Sequence, residues 1–175
     1  MFKFKPYGPF PVPVEGDLVL TKELKDFWAD IDAHHPGLSG AVGCYIFAVQ
    51  SKKSKPWYVG KTERRGFRNE AFQPHKLLLY QNEVMSKTVR GTPVIYLIAR
   101  VTAAGKLRKA ATGKQGVGSI ERLEQLLMGN CLRKNPSLAN KKDMGYLRGI
   151  HVPGYLNETA GARTREAKAL AHLIA

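Results

Sequence analysis

Apolar residues recur along the chain in patterns that alternate between helix-like and strand-like spacing. Over residues 18–34 they recur every three or four positions, which predicts an amphipathic helix. Residues 42–49 form a short run of β-formers. A basic turn follows, and then residues 57–59, which predict the return strand of a hairpin ended by Gly60. The first 16 residues are rich in Pro and Gly and are predicted to be an extended arm.

The pattern continues through the rest of the chain with less regular spacing. It predicts, in order, helices over 62–72 and 75–88, a strand over 94–101, a mobile loop over 102–118, a helix from its N-cap Ser119 to Lys134, a loop over 141–162 and a helix over 163–174.

This order of elements predicts an α/β fold without internal repeats. We expect a small three-stranded, mainly antiparallel sheet flanked by helices, with an extra N-terminal helix and a C-terminal helix. Three segments follow: an arm and helix over 1–40, a central domain over 41–142, and a C-terminal loop and helix over 143–175 that packs on that domain.

Composition narrows the class of protein. The 175 residues are 43% hydrophobic and 24% charged, as in ordinary globular domains. Two cysteines, Cys44 and Cys131, are too few for a disulfide framework or a four-thiolate zinc site, and both are expected to be buried thiols. The longest apolar run, from Val94, ends at Arg100, well short of the roughly 20 residues that span a bilayer. We therefore expect a cytoplasmic protein without a membrane partner.

Charge is distributed unevenly. The formal net charge is +14, yet residues 1–50 hold four bases and six acids. Residues 51–90 and residues 101–150 each hold ten bases and three acids, a net of +7 in each segment. Such a concentration is typical of a nucleic-acid-binding groove, and a solvated basic face explains it about equally well.

Some familiar motifs are incomplete. Gly60-Lys61-Thr62 resembles the end of a phosphate-binding P-loop, but Lys55 stands where the earlier glycine is required. Residues 113–119 are glycine-rich but lack the terminal lysine of that motif. His34 and His35 lie near two aspartates, but adjacent histidines point to different faces of a helix, which favours a solvated helix end over a metal site.

Two short motifs lie on the predicted hairpin: Gly43-Cys44-Tyr45 and Tyr58-Val59-Gly60. Together they resemble the paired signature of the GIY-YIG nuclease family. The resemblance continues to Arg68, eight residues after Gly60, to a helix carrying Glu124, and to the segment 135–140 that ends in Asn140. It spans residues 43–140, in the order of the family.

The resemblance implies hydrolysis of phosphodiester bonds with one Mg²⁺ (or Mn²⁺) ion. Tyr45 is implied as general base or water-positioning residue, Tyr58 as orienting water or phosphate, and Arg68 as stabilising the transition state. Glu124 is implied to bind the metal, which stabilises the leaving 3′ oxygen. Lys61 completes the candidate catalytic set; the candidate nucleic-acid contacts are Gly60, Lys61, Arg64, Arg65, His75 and Asn140.

Physical chemistry supports these roles and keeps alternatives open. Tyrosine, with a pKa of about 10, is a base at neutral pH only if neighbouring cations lower that pKa. Strand tyrosines often only pack, a helical arginine often faces solvent, and Glu121 is a rival for Glu124 as metal ligand. The chain also departs from the family pattern: Cys44 replaces an aliphatic residue, and Phe72 stands where some members carry histidine. His75 can substitute only if the chain bends at Pro74.

The leading hypothesis is a Mg²⁺-dependent endonuclease that cuts DNA or a structured nucleic acid, with RNA as a possible substrate. The main alternative is a catalytically inactive nucleic-acid-binding module of the same fold. A third is a basic structural protein that binds RNA. Four cations of the predicted loop are candidate strand contacts or simply solvated: Lys106, Arg108, Lys109 and Lys114.

Overall fold

The computed structural model describes residues 2–16, 18–52, 54–81, 91–109, 117–140, 149–156 and 164–173. Over these residues the chain forms an α/β fold, as predicted, with short strands and helices. The strands are β1 (Lys3–Pro11), β2 (Val14–Glu15), β3 (Leu18–Val19), β4 (Gly43–Gln50), β5 (Lys55–Thr62) and β6 (Thr92–Val101). The α-helices are α1 (Leu24–His34), α2 (Gly66–Glu70), α3 (Pro74–Tyr80), α4 (Val117–Lys134) and α5 (Arg165–Leu173).

The main sheet is antiparallel, with strand order β1-β6-β4-β5. The predicted hairpin is confirmed as β4 and β5, whose register pairs Tyr45 with Gly60 and Phe47 with Tyr58. Every residue of β4 except the part-buried Ile46 and the exposed Gln50 is buried. A strand covered on both faces needs no alternation of apolar and polar residues, which explains its continuous apolar run.

The predicted count of three strands is wrong, because the N-terminal arm is a fourth strand. Strand β1 pairs with β6 from Lys3, opposite Val101, to Pro11, opposite Val94. Proline lacks the N–H that a central strand must donate, but an edge strand leaves one side unpaired and tolerates it. The prolines that predicted an irregular arm are therefore compatible with this edge position.

The predicted helix over 18–34 begins later than expected. Leu18 and Val19 instead form β3, which pairs with β2, and the Leu20 N–H donates to the carbonyl oxygen of Pro13 at 2.9 Å. A 3₁₀ turn over Thr21–Glu23 then leads into α1, whose Trp28 is buried. The helical spacing of apolar residues begins at Leu18, but Leu18 and Val19 belong to a small hairpin rather than to the helix.

Strand β5 runs two residues beyond Gly60, and the helix predicted over 62–72 contracts to α2. Gly66 begins α2 with φ +75°, and a Cβ there would lie 2.9 Å from the backbone of Gly40. Only glycine fits this close approach, which fixes the turn into the helix. Arg68 is consequently the third residue of α2.

The structure describes only part of the helix predicted over 75–88 and of the loops predicted over 102–118 and 141–162. Helix α4 begins at Val117, two residues before the predicted N-cap Ser119. Residues 102–109, predicted to be mobile, turn back along β6, where the Arg108 N–H donates to the Arg100 carbonyl at 2.9 Å. Lys114, the later half of the helix predicted over 75–88 and most of the loop over 141–162 lie outside the described residues. Helix α5 confirms the C-terminal helix.

Helices cover both faces of the sheet. On one face Tyr45, Phe47 and Leu97 pack in a core with Trp28 and Ile31 of α1. On the other face α4 covers the sheet: Val59 packs with Met128 and Leu132, and Cys44 packs with Ile120. This three-layer arrangement places α4 directly beside β5, the strand that carries the second motif. No helix among the described residues is long and apolar enough to cross a membrane.

Candidate functional site

The two motif tyrosines lie side by side on the α1 face of the hairpin. Their ring centroids are 6.2 Å apart, and Phe47 contacts both rings. Tyr45 is fully buried and Tyr58 is partly buried. The hydroxyl of Tyr45 is buried, and the Tyr58 hydroxyl acts on it as a hydrogen-bonding neighbour, although the two do not meet full hydrogen-bond geometry. The prediction that the two side chains share one face of the sheet is confirmed.

Gly60 lies on the neighbouring strand, against the ring of Tyr45. A Cβ at residue 60 would overlap the outer ring atoms and the hydroxyl oxygen of Tyr45. Gly60 is itself buried within β5. The absence of a side chain at Gly60 thus makes room for the Tyr45 ring, and the strand continues past this residue. The predicted contact of Gly60 with nucleic acid stays a prediction.

The environment of the tyrosines disfavours their ionised forms. Burial, together with nearby Tyr58, Glu70 and Glu124, raises the pKa of Tyr45 well above its ordinary value. Burial and Glu124 raise the pKa of Tyr58 to about 12. Both hydroxyls are therefore neutral at physiological pH. This direction is opposite to the one that the implied role of Tyr45 as a general base requires.

Lys61 stands at the centre of a group of carboxylates on the α4 face of β5. Its Nζ lies 3.4 Å from Glu121 Oε1, 3.4 Å from Glu124 Oε2 and 3.8 Å from Glu63 Oε1. Burial lowers the pKa of the Lys61 ammonium, but the three carboxylates raise it by more, so its pKa lies above the ordinary value. We call Lys61, Glu63, Glu121 and Glu124 the lysine–carboxylate cluster.

Helical spacing brings the two α4 glutamates together. Glu121 and Glu124 are three residues apart on α4, which places them on neighbouring positions of one face. Their exposures differ: the side chain of Glu124 is 17% exposed and that of Glu121 is 49% exposed. Glu124 also raises the pKa of Tyr45, Tyr58 and Cys44, whereas Glu121 does not. Of the two glutamates, Glu124 is the one that acts electrostatically on the tyrosines.

The cluster offers the oxygen ligands that Mg²⁺ requires, but a lysine lies among them. Glu63 Oε1 is buried without a hydrogen bond and faces the Lys61 ammonium at 3.8 Å. No group of three or more His, Cys, Asp or Glu side chains in the described part of the chain is arranged to hold a metal ion. The oxygen donors are of the kind that Mg²⁺ binds, but the Lys61 ammonium stands among them.

Arg68 is directed toward the N-terminal helix. Its Nη2 lies 3.6 Å from Asp32 Oδ2 of α1, and its backbone N–H donates to the Ser39 carbonyl at 2.8 Å. Asp32 in turn accepts hydrogen bonds from the backbone N–H and the hydroxyl of Ser39. This ion pair links α2 to the acidic helix α1.

A cleft of about 360 Å³ opens between the end of β5 and α2. Its walls carry both signs of charge, and it contains the predicted contacts Lys61, Arg64 and Arg65. Both arginines are exposed. The other lining residues are Thr62, Glu63, Glu70 and Gln73. The cleft therefore adjoins the lysine–carboxylate cluster through Lys61 and Glu63.

Glu70 and Lys76 form a buried pair that the sequence pattern did not reveal. The Lys76 ammonium contacts a Glu70 carboxylate oxygen, donates to the Glu70 carbonyl at 3.0 Å and lies 5.4 Å from the centre of the Tyr45 ring. Its side chain is 9% exposed. The two residues are on different helices, six positions apart, so no helical spacing pairs them.

Asn140 stabilises the edge of the sheet. Its amide oxygen accepts from the Val59 N–H at 2.8 Å, and its amide nitrogen donates to the Val59 carbonyl at 2.6 Å. Ala139 and Asn135 bond the neighbouring carbonyls of Trp57 and Pro56. This segment covers the open edge of β5. Asn140 is 8% exposed, so the geometry gives it a role in the fold; its predicted contact with nucleic acid stays untested.

His75 and the loop cations lie apart from this arrangement. His75 is exposed on α3, which begins at Pro74 after an extended Gln73. The chain thus bends at this point, as a substitution for the family histidine would need. Lys106, Arg108 and Lys109 are exposed along the turn after β6.

Comparison of the chain with protein-family models, with curated proteins and with solved structures finds no match. The case for a function therefore rests on the residues and geometry of this chain.

Proposed function

We propose that this protein is a Mg²⁺-dependent endonuclease that hydrolyses phosphodiester bonds in DNA or a structured nucleic acid, by a GIY-YIG-type mechanism. The observation that carries the proposal is the approach of Glu124 on α4 to Lys61 on β5, beside a cleft with two exposed arginines. Tyr45 and Tyr58 lie on the other face of the hairpin, where Glu124 still acts on the pKa of both.

Glu124 is the metal ligand in this proposal, and Glu121 is its rival for that role. Mg²⁺ binds through a few carboxylates and completes its shell with water and phosphate oxygens, which suits a cluster open to a cleft. When bound, the ion supplies the positive charge that stabilises the leaving oxygen.

The cations of the chain bind and polarise the phosphate. Arg64 and Arg65 are exposed in the cleft, where they attract the backbone of the substrate without regard to sequence. Arg68 presents a planar guanidinium with five N–H donors, and one of its terminal nitrogens faces Asp32. Its remaining donors can stabilise negative charge that develops on the phosphate oxygens.

The tyrosines act as neutral hydrogen-bonding groups in this proposal. The raised pKa of Tyr45 and Tyr58 keeps both hydroxyls protonated. The hydroxyl of Tyr45 is buried beside Tyr58, which is only partly buried, so Tyr45 can act on an attacking water through the Tyr58 hydroxyl. Of the two roles implied for Tyr45, positioning of water is favoured over removal of its proton.

The alternative is a nucleic-acid-binding module of the same fold without catalysis. The observation that favours it is the position of Lys61, whose ammonium stands among the carboxylates that a metal would need. Such a module would still bind nucleic acid through Arg64 and Arg65. It would neither bind a divalent ion at Glu124 nor cut its ligand.

Plasmid nicking separates the two proposals. Supercoiled DNA, branched DNA and RNA are each incubated with the protein, with Mg²⁺ or with EDTA. For the endonuclease we expect Mg²⁺-dependent nicking that Arg68→Ala and Glu124→Gln each reduce by at least about 100-fold, the scale of losing one transition-state group. Glu121→Gln is the matched control on α4, and a smaller loss identifies Glu124 as the main ligand.

Folding of each variant is checked by circular dichroism and urea denaturation. Tight binding of DNA or RNA with no cleavage in Mg²⁺ or Mn²⁺ would establish the binding module instead. Loss of activity in Glu121→Gln but not in Glu124→Gln would transfer the metal-ligand role to Glu121.

A further inference from the structure

We propose that the groove between the N-terminal arm and α4 binds one unstacked base of a single-stranded nucleic acid, with the adjoining phosphate on Arg122. The inference goes beyond the proposed function, because β1 and β5 are opposite edges of the sheet and the groove is therefore a separate contact. It shares with the proposed function only the premise that the ligand is a nucleic acid.

The groove has the size and the lining of a ligand site. Its volume is about 460 Å³, and its residues come from the N-terminal arm and from the first three turns of α4. Ligand sites typically measure about 300–1,000 Å³ and combine an apolar lining with a few polar groups. Four of the lining side chains here are large and apolar: Phe2, Phe4, Leu123 and Leu126.

Two of these apolar side chains are fixed in the core, and two are exposed to solvent. Phe4 and Leu123 are partly buried and pack on the core around Ile120, beneath α4. Phe2 is 62% exposed and Leu126 is 66% exposed, although both are large. Exposed apolar surface beside polar residues is typical of a binding surface. The groove thus has a rigid floor and two exposed apolar walls on different elements.

Two arginines accompany the apolar surface. The guanidinium carbon of Arg100 lies 5.1 Å from the centre of the Phe2 ring, within the range of a cation–π contact. Arg100 is directly opposite Phe4 in the β1–β6 register, so both side chains point to the α4 face. Arg122 lines the groove and is exposed. No acidic side chain is among the described residues that line the groove.

A nucleotide of a single strand matches this combination of groups. Its base has a flat π-face that stacks on aromatic side chains whatever the sequence, and its phosphate carries a negative charge. The bases of a duplex are paired and stacked inside, so they cannot enter the groove. A second copy of this chain fits less well, because each copy carries a formal net charge of +14 and the two would repel each other.

The register of the sheet relates the groove to the proposed cleavage site. One row of paired residues crosses the four strands from Pro6 to Lys61, and Phe4 is two residues from that row. Strand spacings of about 4.8 Å put the groove roughly 15 Å from Lys61, the rise of four to five nucleotides at about 3.4 Å each. One strand of nucleic acid is long enough to reach both places.

Fluorescence anisotropy with labelled strands of 12 nucleotides tests the proposal on the full chain. The ligands are oligothymidylate, a strand of equal length without bases, and a blunt duplex, all in EDTA so that no cleavage occurs. One stacked base contributes about 5- to 100-fold in affinity. We therefore expect Phe2→Ala to weaken binding of oligothymidylate by about fivefold or more. Its Kd for the baseless strand and for the duplex should stay within about twofold of the wild-type values.

Leu18→Ala is the matched control, because Leu18 is also 62% exposed and does not line the groove. All three of its Kd values should stay within about twofold of wild type. Phe2→Trp keeps an aromatic ring and should keep the affinity for oligothymidylate, whereas Phe2→Leu should lose it. Arg122→Met should weaken binding of both single strands and lower the slope of log Kd against log salt by about 0.7, the value of one phosphate contact.

The outcomes distinguish this inference from the proposed function. Unchanged binding of oligothymidylate by Phe2→Ala would overturn the inference, and Mg²⁺-dependent nicking that Glu124→Gln abolishes would still support the endonuclease. Weaker binding by Phe2→Ala, in a protein that nicks no substrate in Mg²⁺ or Mn²⁺, would support the base groove and overturn the endonuclease. An equal loss in Leu18→Ala would overturn the inference.

Sedimentation velocity tests the rival occupant, a second copy of the chain. A wild-type dimer that Phe2→Ala converts to monomers, with unchanged affinity for oligothymidylate, would make the groove an interface between copies and overturn the inference. A wild-type monomer that loses affinity for oligothymidylate on Phe2→Ala would support it.

Discussion

The ring of Tyr45 fills the space that any side chain at residue 60 would occupy. The two residues are directly paired in the β4–β5 register, and a Cβ on Gly60 would overlap the end of the tyrosine ring. Tyr45 cannot swing aside easily, because it is fully buried against Phe47 and Tyr58. The tyrosine of the first motif and the glycine of the second are therefore one packing unit.

Gly60→Ala should destabilise the protein by about 1–3 kcal/mol, the usual cost of forcing extra volume into a packed core. The free energy of unfolding, measured by urea denaturation, checks this value. Gly129→Ala is the control: Gly129 lies within α4 with open space around its Cα, so alanine there should stabilise the helix by up to about 1 kcal/mol.

The double variant Tyr45→Ala/Gly60→Ala isolates the contact. Tyr45→Ala alone should cost about 3–5 kcal/mol, and the further change at Gly60 should then cost almost nothing. Additive effects of the two substitutions would show that the strain at Gly60 has another source.

Asn140→Asp should cost about 2–3 kcal/mol. The carboxylate still accepts from the Val59 N–H, but it loses the donor to the Val59 carbonyl and sets two acceptors against each other. Hydrogen exchange of the Val59 amide should become faster by the corresponding factor. The same change at Asn69, whose exposed amide donates to the Arg65 carbonyl at 3.1 Å, should cost less than about 1 kcal/mol, because water replaces that bond. Unchanged protection of Val59 would contradict the role given to Asn140.

Asp32 should matter more for stability than its partner Arg68. Arg68 is 46% exposed and lies 3.6 Å from Asp32, so Arg68→Ala should cost less than about 1 kcal/mol. Asp32→Ala should cost about 1–3 kcal/mol, because two donors of Ser39 lose their acceptor. Thermal and urea unfolding measure both, with the exposed Asp30→Ala as control. Equal costs for the first two variants would mean that the ion pair dominates.

Stability should fall as the pH rises above about 9. Burial raises the pKa of Cys131 from 9.0 to about 11 and, with Glu124, raises those of Cys44 and Tyr58 to about 12. Below pH 9 these groups are protonated in both states, so their contribution is fully present. Between pH 9 and 12 the unfolded chain releases protons that the folded protein retains, which lowers the free energy of unfolding.

Tyr58→Phe tests one part of this pH dependence. For Tyr58, two pKa units correspond to about 2–3 kcal/mol of stability lost between pH 10 and 12. Urea denaturation at pH 8, 10 and 11.5 should show a shallower decline in Tyr58→Phe than in the wild type. Identical declines would indicate that other groups carry the effect.

Much of the fold could be predicted because the local pattern of apolar residues was enough to identify several strands and helices. The hairpin carries a continuous apolar run and a turn-forming segment, and α4 carries a regular apolar stripe, so both were found in place. The N-terminal arm could not be recognised as a strand, since its prolines exclude a central position and only pairing with β6 makes it an edge. The start of α1 was misplaced because Leu18 continued a helical spacing within a small hairpin.

The candidate site, like the fold, was predictable from the sequence only in part. The sequence by itself determined that Tyr45, Tyr58, Lys61, Arg68 and Glu124 are the residues to consider, because their types and order resemble a nuclease pattern. Only the tertiary structure decided their surroundings: the carboxylates around Lys61, the Asp32 that holds Arg68, and the burial that keeps Tyr45 neutral. The reason is physical, since pKa values and ion pairs depend on distances between groups far apart in the chain.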